Sequence, residues 1–347
     1  MVMKRIFFFI VITLQGIVLL AQPKIAVYTP ATNTTSIYSS FDAAYNAALS
    51  GDHIYLPGGS FSLASPVSKS IHIYGAGFNP DSSAVTGMTI LDTIVIITGA
   101  DNGSIEGVSF TQSYNATPSI HFDMSNSANV ISNFAINSCN LSHGIKITPG
   151  SNGASCNYFT IRNNYIGSYN NGMSLLGSLI NSMVSNNIIA ADTQIGIANT
   201  FLNNIFYFGP YYSNAHSNYC TYQNNIFPPA IIGNHEIGYD TPTNSFFYNN
   251  MNASPSAGVG NSGTGNVDED WLLTFDNSGN SYYQVKTTSL AHNSGTDGKD
   301  RGIYGWATPW KVGSMPSNPH ISYKNVGTQN DPAGILHVTF KIKPQSY

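Results

Sequence analysis

The sequence carries little charge. Asp, Glu, Lys and Arg make up 9% of its 347 residues, against about 25% in an ordinary soluble domain, and the formal net charge at pH 7 is -4. It contains no block of Lys and Arg that would neutralise a run of phosphates, which argues against nucleic-acid binding. After residue 21 no apolar run approaches the roughly 18 residues of a membrane helix, so no membrane span is expected once the N-terminal segment is removed.

Cysteine is also scarce. Cys139, Cys156 and Cys220 are an odd number, which excludes a disulfide framework and leaves room for one bridge at most. No CxxC spacing exists, so a structural zinc site has no support. We predict that Cys139 is a buried free thiol. No cofactor is expected to be required. Ca²⁺ has candidate ligands in the acidic run 268–270 and, more weakly, at Asp297 and Asp300; the alternative at both places is a turn.

The first segment has the features of a secretory signal peptide. Lys4 and Arg5 precede an apolar stretch from Ile6 to Leu20, and the small residue Ala21 follows it. The alternative, a membrane anchor, is disfavoured because the stretch is short and no positively charged flank follows. We therefore expect a protein that is secreted or held at the cell surface.

Asparagine supplies much of the polar character that charge does not. The chain has 39 Asn residues, 27 of them between positions 101 and 250. An Asn-Asn pair followed by an apolar residue recurs five times, at intervals of 23, 17, 21 and 25 residues, and a large apolar residue stands two positions before each pair. The pairs begin at Asn163, Asn186, Asn203, Asn224 and Asn249.

These intervals predict stacked repeats of short strands. A repeat of about 22 residues has room for about three strands with turns, and it can bury its apolar face only against its neighbours. In such a stack the same turn position recurs above itself, and Asn amides can pass hydrogen bonds along the column. We predict one column that contains Cys139, Asn164, Asn187, Asn204 and Asn225. Asn-rich loops of a globular fold, the alternative, do not explain the regular intervals.

The predicted fold is all-β, a right-handed parallel β-helix solenoid with a short N-terminal capping helix and a C-terminal tail strand. The expected segments are a signal peptide (1–21), an N-terminal segment with the capping helix (22–50), the β-helix coils (51–275), a C-terminal closing segment (276–312) and the tail (313–347). The capping helix should run from Tyr38 to Ser50, with Ser39 or Ser40 as its N-cap and Gly51 at its end.

The tail alternates apolar and polar residues from Leu336 to Lys343, which predicts a half-buried strand. This strand either lies along the β-helix or contacts another surface component. We expect the protein to be a monomer.

Two stretches carry a resemblance to a known superfamily. The first is Gly51–Gly59 followed by Ile71–Gly77, and the second is Leu290–Gly295 with Asp297–Gly305. With the Asn-Asn repeats, they resemble secreted right-handed parallel β-helix proteins of the pectin-lyase-like superfamily, especially surface proteins of the Bacteroidota. Those proteins usually carry Ser-Pro-Ala where this chain has Ser289-Leu290-Ala291. The resemblance covers about residues 38–312 and implies the fold; because the superfamily includes lyases, hydrolases and adhesins, it leaves the activity open.

The resemblance implies two catalytic sets, and neither can be assembled here. Pectate lyases of the superfamily use an Arg or Lys base with Ca²⁺ held by clustered carboxylates. Arg162 is the candidate base, but its stacked neighbours should be Asn137 and Ser185, which are not acids. Polygalacturonases use paired aspartates, a His-Gly motif and an Arg-x-Lys motif. His143 echoes the His-Gly motif without its carboxylate pair, so we interpret it as a turn residue.

One catalytic constellation follows from the repeat frame itself. The strand that contains His121 and Asp123 aligns with the strand that contains Lys146, so all three side chains should lie on one outer face, with strands about 4.8 Å apart. Lys146 would neutralise a substrate carboxylate, His121 would move a proton, and Asp123 would orient His121. The alternative is a solvated face with weak pairings.

Aromatic side chains suggest where a sugar chain would bind. Tyr207, Tyr211 and Tyr212 flank a Gly-Pro turn, and flat aromatic faces suit sugar rings; with Arg162 they are the predicted substrate-binding residues. Trp306 and Trp310 are expected to seal the C-terminal end of the stack. The predicted function is a secreted or cell-surface polysaccharide-binding or adhesion module without catalysis. The alternative is a polysaccharide lyase or glycoside hydrolase that acts on an extended chain, with uronate-containing chains among its substrates.

Overall fold

The computed structural model describes sixteen stretches of the chain: 24–80, 83–110, 117–126, 129–150, 155–167, 173–190, 192–206, 219–229, 245–247, 249–252, 267–268, 274–275, 283–311, 320–326, 333–335 and 337–343. The predicted signal peptide (1–21) lies outside these residues, as do Tyr207, Tyr211 and Tyr212.

The described residues form short strands and one helix. The first half of the chain contains β1 (Ile25–Thr29), β2 (Thr34–Tyr38), α1 (Phe41–Ala47), β3 (His53–Tyr55), β4 (Gly59–Phe61), β5 (His72–Tyr74), β6 (Thr89–Leu91), β7 (Ile94–Ile96), β8 (Ser104–Glu106), β9 (Ser109–Phe110), β10 (Ile120–Asp123), β11 (Ile131–Ser132), β12 (Ala135–Asn137), β13 (Asn140–Leu141), β14 (Ile145–Thr148), β15 (Cys156–Asn157), β16 (Thr160–Arg162) and β17 (Tyr165–Ile166). The second half contains β18 (Met173–Ile180), β19 (Met183–Ser185), β20 (Ile188–Ile189), β21 (Asp192–Ile197), β22 (Thr200–Leu202), β23 (Ile205–Phe206), β24 (Thr221–Gln223), β25 (Ile226–Pro229), β26 (Ser245–Phe247), β27 (Asn250–Asn252), β28 (Val267–Asp268), β29 (His320–Val326) and β30 (Val338–Lys343).

Four sheets account for all but the last two strands. Sheet A has eleven strands in the order β2-β1-β3-β5-β8-β12-β16-β19-β22-β24-β26, and sheet B has ten in the order β28-β27-β25-β23-β20-β17-β13-β9-β6-β4. Sheet C is β14-β10-β7 and sheet D is β11-β15-β18-β21. Pairing is parallel throughout, except that β1 pairs antiparallel with both β2 and β3. The predicted all-β class with stacked parallel strands is confirmed, and the arrangement is compatible with a β-helix.

The chain passes through the sheets in a repeating order, and each passage places one apolar residue in the same interior position. The interior position of sheet A is occupied by Ile136, Ile161, Val184, Phe201 and Tyr222, which are register neighbours and have no exposed surface. Because no single repeat could enclose these side chains, the stack buries one continuous core.

The capping helix is shorter than predicted. Ser40 is its N-cap and accepts a hydrogen bond from the Ala43 amide (3.2 Å), as expected, but α1 ends at Ala47 instead of reaching Gly51. The Lys69 ammonium donates to the carbonyl oxygens of Tyr45 (2.9 Å) and Ala48 (2.8 Å), which satisfies the C-terminal end of the helix. Within the described part of the chain, no helix has the length and apolar character needed to cross a lipid bilayer.

The asparagine column is confirmed. The Nδ2 of Asn164 donates to Asn187 Oδ1 (3.0 Å), and the same contact links Asn187 to Asn204 (3.0 Å) and Asn204 to Asn225 (3.0 Å). Each Oδ1 also accepts the backbone amide of the preceding column member, which places Cys139 in the column because its amide donates to Asn164 Oδ1 (2.8 Å). The Asn side chains therefore pair their own buried polar groups and also the backbone amides of the buried turn.

The fifth Asn pair departs from the predicted frame by one residue. Tyr222 pairs with Phe246, not with the predicted Phe247. Asn225 then donates to Asn249 Oδ1 (3.1 Å), so the first member of this pair occupies the column, where the second member stands in the other four repeats. The longer 25-residue interval absorbs the difference.

All three cysteines are buried thiols that form no disulfide, as predicted for Cys139. Burial raises the pKa of Cys139 to about 12 and that of Cys220 to about 11, so neither thiol ionises near neutral pH. We expect a thiol-reactive dye to label no cysteine in the native protein and all three in urea. Reductant should leave the melting temperature unchanged; a drop of 10 °C or more would indicate a disulfide, whose loss typically costs about 2–5 kcal/mol.

Residues 289–310, here called the strap, cover the outer face of sheet B. Ile188, Ile205 and Ile226 form an apolar row on that face, and Ala291, Ile303 and Trp310 of the strap pack on it, together with Phe275. Gly302 lies directly on Ile226, since a Cβ at this position would stand 2.8 Å from the Ile226 Cδ1 atom. The expectation that Trp310 seals the C-terminal end is wrong, because its ring packs 6.5 Å from that of Phe78, near the start of the stack.

The tail contains two strands where one was predicted. β29 and β30 form an antiparallel pair. Val338, Phe340 and Ile342 are all more than half exposed, so the strand is confirmed but its half-buried character is wrong for the described residues.

Candidate functional site

Sheet C brings the three predicted catalytic residues together. β10 and β14 pair in parallel with His121 opposite Lys146 and Asp123 opposite Thr148. The interior partners Ile120 and Phe122 are fully buried, whereas His121, Asp123 and Lys146 are partly exposed. The alternating burial therefore places the three side chains on one outer face, as the repeat frame predicted.

The hydrogen bonds on this face differ from the predicted roles. His121 Nε2 is 2.8 Å from Thr148 Oγ1, while the Asp123 carboxylate accepts the Ser125 amide (3.0 Å). Thr148, which sequence reasoning missed, therefore positions the imidazole, and Asp123 acts on it only through its charge. The sequence could have revealed Thr148, because the predicted alignment of His121 with Lys146 places Thr148, two residues further along, beside Asp123.

The charge environment favours a neutral His121. Burial lowers the pKa of His121 below its ordinary value of 6.5; the Asp123 charge opposes this shift and the Lys146 charge adds to it. The pKa of Asp123 is lowered by hydrogen bonds from Ser125, so Asp123 is ionised at neutral pH. A neutral imidazole beside an ammonium group can accept a proton from a bound substrate.

We expect His121 to titrate below 6.5 in the folded protein. Because the unfolded chain then binds more protons than the folded chain, the stability that this group contributes is complete above 6.5 and is lost as the pH falls through the lowered pKa. NMR titration should show opposite shifts in two variants: Lys146→Ala raises the pKa of His121, and Asp123→Asn lowers it. Shifts of the same sign would contradict this arrangement.

Arg162 has the neighbours that were predicted. It lies on β16 between Asn137 of β12 and Ser185 of β19, so no carboxylate flanks it. Its Nε atom is buried without a hydrogen-bond partner among the described residues. His143 lies in a turn, where its Nδ1 is 3.0 Å from Ser142 Oγ, which agrees with its interpretation as a turn residue.

A second cluster, which sequence reasoning missed, lies on the outer face of sheet A. His53-Ile54-Tyr55 on β3 and His72-Ile73-Tyr74 on β5 pair residue for residue. The rings of Tyr55 and Tyr74 are stacked with centroids 5.1 Å apart, and those of His53 and His72 are 4.9 Å apart. Tyr55 is 38% exposed. The repeated sequence His-Ile-Tyr could have revealed this cluster, because successive side chains of a strand point to opposite faces and the buried Ile turns the His and Tyr outward.

Hydrogen bonding and burial fix the cluster. His72 Nδ1 is 2.8 Å from Ser104 Oγ. Burial, and secondarily the neighbouring His53, lower the pKa of His72, so this ring is neutral at pH 7. Burial also raises the pKa of Tyr74, and the Glu106 charge raises it further. The tyrosine hydroxyls therefore stay protonated and can donate hydrogen bonds to a ligand.

The tyrosine pair and Arg162 belong to one column of sheet A. The register runs from Tyr55 through Tyr74, Glu106 and Asn137 to Arg162. Four steps of about 4.8 Å make this column roughly 19 Å long. We call it the sheet A column. It offers aromatic surface at one end and hydrogen-bonding groups at the other.

The acidic residues of the strap are engaged in structural contacts. Asp297 accepts the backbone amides of Lys299 (3.1 Å) and Trp306 (2.8 Å), and Asp300 lies 2.8 Å from His292 and accepts the Asn293 amide (2.9 Å). Among the described residues, no group of three or more His, Cys, Asp or Glu side chains is arranged to hold a metal ion. Residues 269–270 of the acidic run lie outside the described chain.

No protein-family model, curated protein or solved structure matches this chain with significant similarity.

Proposed function

We propose that this chain is an exported polysaccharide-binding protein, built as a right-handed parallel β-helix, that holds a sugar chain along the sheet A column. The stacked tyrosine pair, with Tyr55 exposed and Tyr74 partly buried beside two histidines, carries the proposal. Aromatic rings with polar edges bind sugars by excluding water from the apolar face of the ring while donating hydrogen bonds to its hydroxyls. Asn137 and Arg162 continue the column with further donors.

Export and architecture are supported by the sequence. The N-terminal Lys4 and Arg5 with the apolar stretch to Leu20 fit a signal peptide. The recurring order of strands and the resemblance over residues 38–312 support a right-handed β-helix of the pectin-lyase-like type.

Binding is favoured over catalysis because Arg162 has no flanking carboxylate. The alternative, a polysaccharide lyase or glycoside hydrolase, is supported by one observation: His121 is held by Thr148 beside Lys146 in an environment that lowers its pKa.

The binding test is a panel of acidic and neutral polysaccharides in affinity electrophoresis. At least one should bind, and Tyr55→Ala with Tyr74→Ala should weaken that binding on the order of tenfold, since aromatic truncations dominate such contacts. Arg162→Gln should weaken it less. Tyr323→Ala, on the exposed tail hairpin, is the matched control and should change nothing. Undiminished binding by the double variant would refute the sheet A column.

The catalytic alternative is tested with the same panel by assaying unsaturated products and new reducing ends. We expect no turnover. Turnover that is abolished by His121→Ala, with the fold intact by circular dichroism, would establish the alternative. Turnover that survives the replacement of His121, Asp123 and Lys146 by Ala would exclude this site.

A further inference from the structure

One turn of the repeat holds a left-handed residue at the same place in six successive repeats. The turn lies immediately before the strands of sheet A, and its residues have φ between 51° and 61°. They are Asn102, Asn133, Tyr158, Asn181, Ala198 and Tyr219. Asn suits this position because its short side chain tolerates left-handed backbone, whereas a bulky side chain is strained there.

Tyr158 and Tyr219 are the two bulky side chains at this position. Their side chains are 57% and 67% exposed. Among the described residues, neither side chain makes a hydrogen bond or a ring contact. The residues that directly follow the turn residues hold the turn instead: Ser182 Oγ accepts the Phe159 amide (2.8 Å) and Asn199 Oδ1 accepts the Ser182 amide (2.9 Å). Backbone strain that no hydrogen bond or ring contact of the described residues offsets is typical of a functional position.

The two repeats between the tyrosines also expose apolar side chains. Met183 lies two residues after the turn residue Asn181, and Ile197 lies directly before the turn residue Ala198. Both are exposed, so four successive repeats each present one large apolar residue at or beside this turn. Backbone hydrogen bonds from Tyr158 to Ile180 (3.1 Å) and from Asn181 to Ile197 (3.2 Å) hold the repeats in line. Three steps of about 4.8 Å separate the tyrosines by roughly 14 Å.

The edge is polar but uncharged. No Asp, Glu, Lys, Arg or His occurs in 157–160, 180–183, 197–200 or 219–221; Arg162, two positions beyond Thr160 on the same face, belongs to the sheet A column. The Asn181 amide and the hydroxyls of Thr160, Thr200 and Thr221 lie between or beside the apolar groups, the threonines in one register row with Met183. Apolar faces that alternate with neutral hydrogen-bonding groups complement the two sides of a sugar ring, and the absence of charge fits a ligand without charge.

We propose that these residues, here called the tyrosine edge, form a second binding site that takes a neutral polysaccharide lying along the stack, with one sugar ring against Tyr158 and another against Tyr219. This inference rests on the proposed function for the class of ligand. It differs from it in the residues, which lie on later repeats than the tyrosine pair of the sheet A column, and in its selectivity for uncharged chains.

The test is the double variant Tyr158→Asn with Tyr219→Asn, because Asn occupies the same turn position in neighbouring repeats. If the tyrosines served only the fold, the variant would lose stability. The tyrosine edge predicts the opposite pair of results: an equal or higher melting temperature, and at least about tenfold weaker binding of a soluble neutral β-glucan such as hydroxyethyl cellulose. Binding of polygalacturonate should not change.

The variant Tyr55→Ala with Tyr74→Ala separates this inference from the proposed function. Glucan binding that is weakened only by the Tyr158 and Tyr219 changes supports the tyrosine edge and excludes the sheet A column as the site of this glucan. Weakening only by the Tyr55 and Tyr74 changes refutes the tyrosine edge and leaves the proposed function standing. Weakening by both supports both sites, and a wild-type protein that binds no neutral glucan overturns the tyrosine edge, whatever its binding of acidic chains.

Discussion

Asn204→Asp should destabilise the protein by about 3–5 kcal/mol at neutral pH, because it leaves a buried charge without compensation. Asn204 has no exposed surface, and its Nδ2 donates to the Val184 carbonyl (2.7 Å) and to Asn225 Oδ1 (3.0 Å). Asp keeps the accepting oxygen but turns a second oxygen toward these two acceptors. Urea denaturation of the variant and the wild type measures the loss.

Two comparisons make this result specific to the asparagine column. Asn204→Ala should cost about 1–3 kcal/mol, since it removes the donors without adding charge, and Asn46→Ala on the exposed side of α1 should change stability by less than about 0.5 kcal/mol. Burial raises the pKa of the introduced carboxyl, so its penalty should shrink as the pH falls toward about 4, the unfolded value. Equal stability of the Asp and Ala variants at pH 7 would contradict the role given to the hydrogen bonds of the asparagine column.

Ile303→Ala should cost about 2–5 kcal/mol, the range for truncating a buried Ile. Ile303 has no exposed surface and packs on the apolar row of sheet B, while its carbonyl accepts Asn186 Nδ2 (3.0 Å). The loss should appear first as faster cleavage within the strap during limited proteolysis, because the strap has fewer backbone partners than the sheets.

Ile303→Val is the matched control and should cost about 0.5–1.5 kcal/mol, since it removes one methylene and leaves the packing otherwise intact. If Ile303→Ala cost less than the about 0.5–1.5 kcal/mol expected for Ile303→Val, the strap would contribute little to the stability of the folded state.

The Asn column was predictable because it depends on recurrence. Asn164, Asn187 and Asn204 stand at the same place in successive repeats, and identical turns above one another bring identical amides into contact. The frame failed at Asn249, where one extra residue before the pair moved the first Asn into the column. Pattern alone does not show where a longer repeat accommodates its extra residue.

The strap was not predictable in its position. Asn186 and Ile303 are 117 residues apart, and no periodic signal connects them. Ile188, Ile205 and Ile226 appeared as ordinary strand residues, although their side chains face outward and require a cover. In the candidate site, alternation correctly placed His121 and Lys146, but the identity of the partner of His121 depended on which of two polar neighbours lay within hydrogen-bond distance.

The strap also limits how this protein can evolve. Solenoids commonly gain and lose repeats by duplication and deletion, because each repeat contacts only its neighbours. Here one segment contacts four successive repeats at fixed points: Asn186 through Ile303, Asn203 through Gly302, Asn224 through Thr296 and Asn249 through Arg301. An inserted or deleted repeat within this span would move at least one contact out of reach. Trp310 of the strap also packs on Phe78, so a change in the number of repeats between Phe78 and Asn249 should require a matching change in the strap.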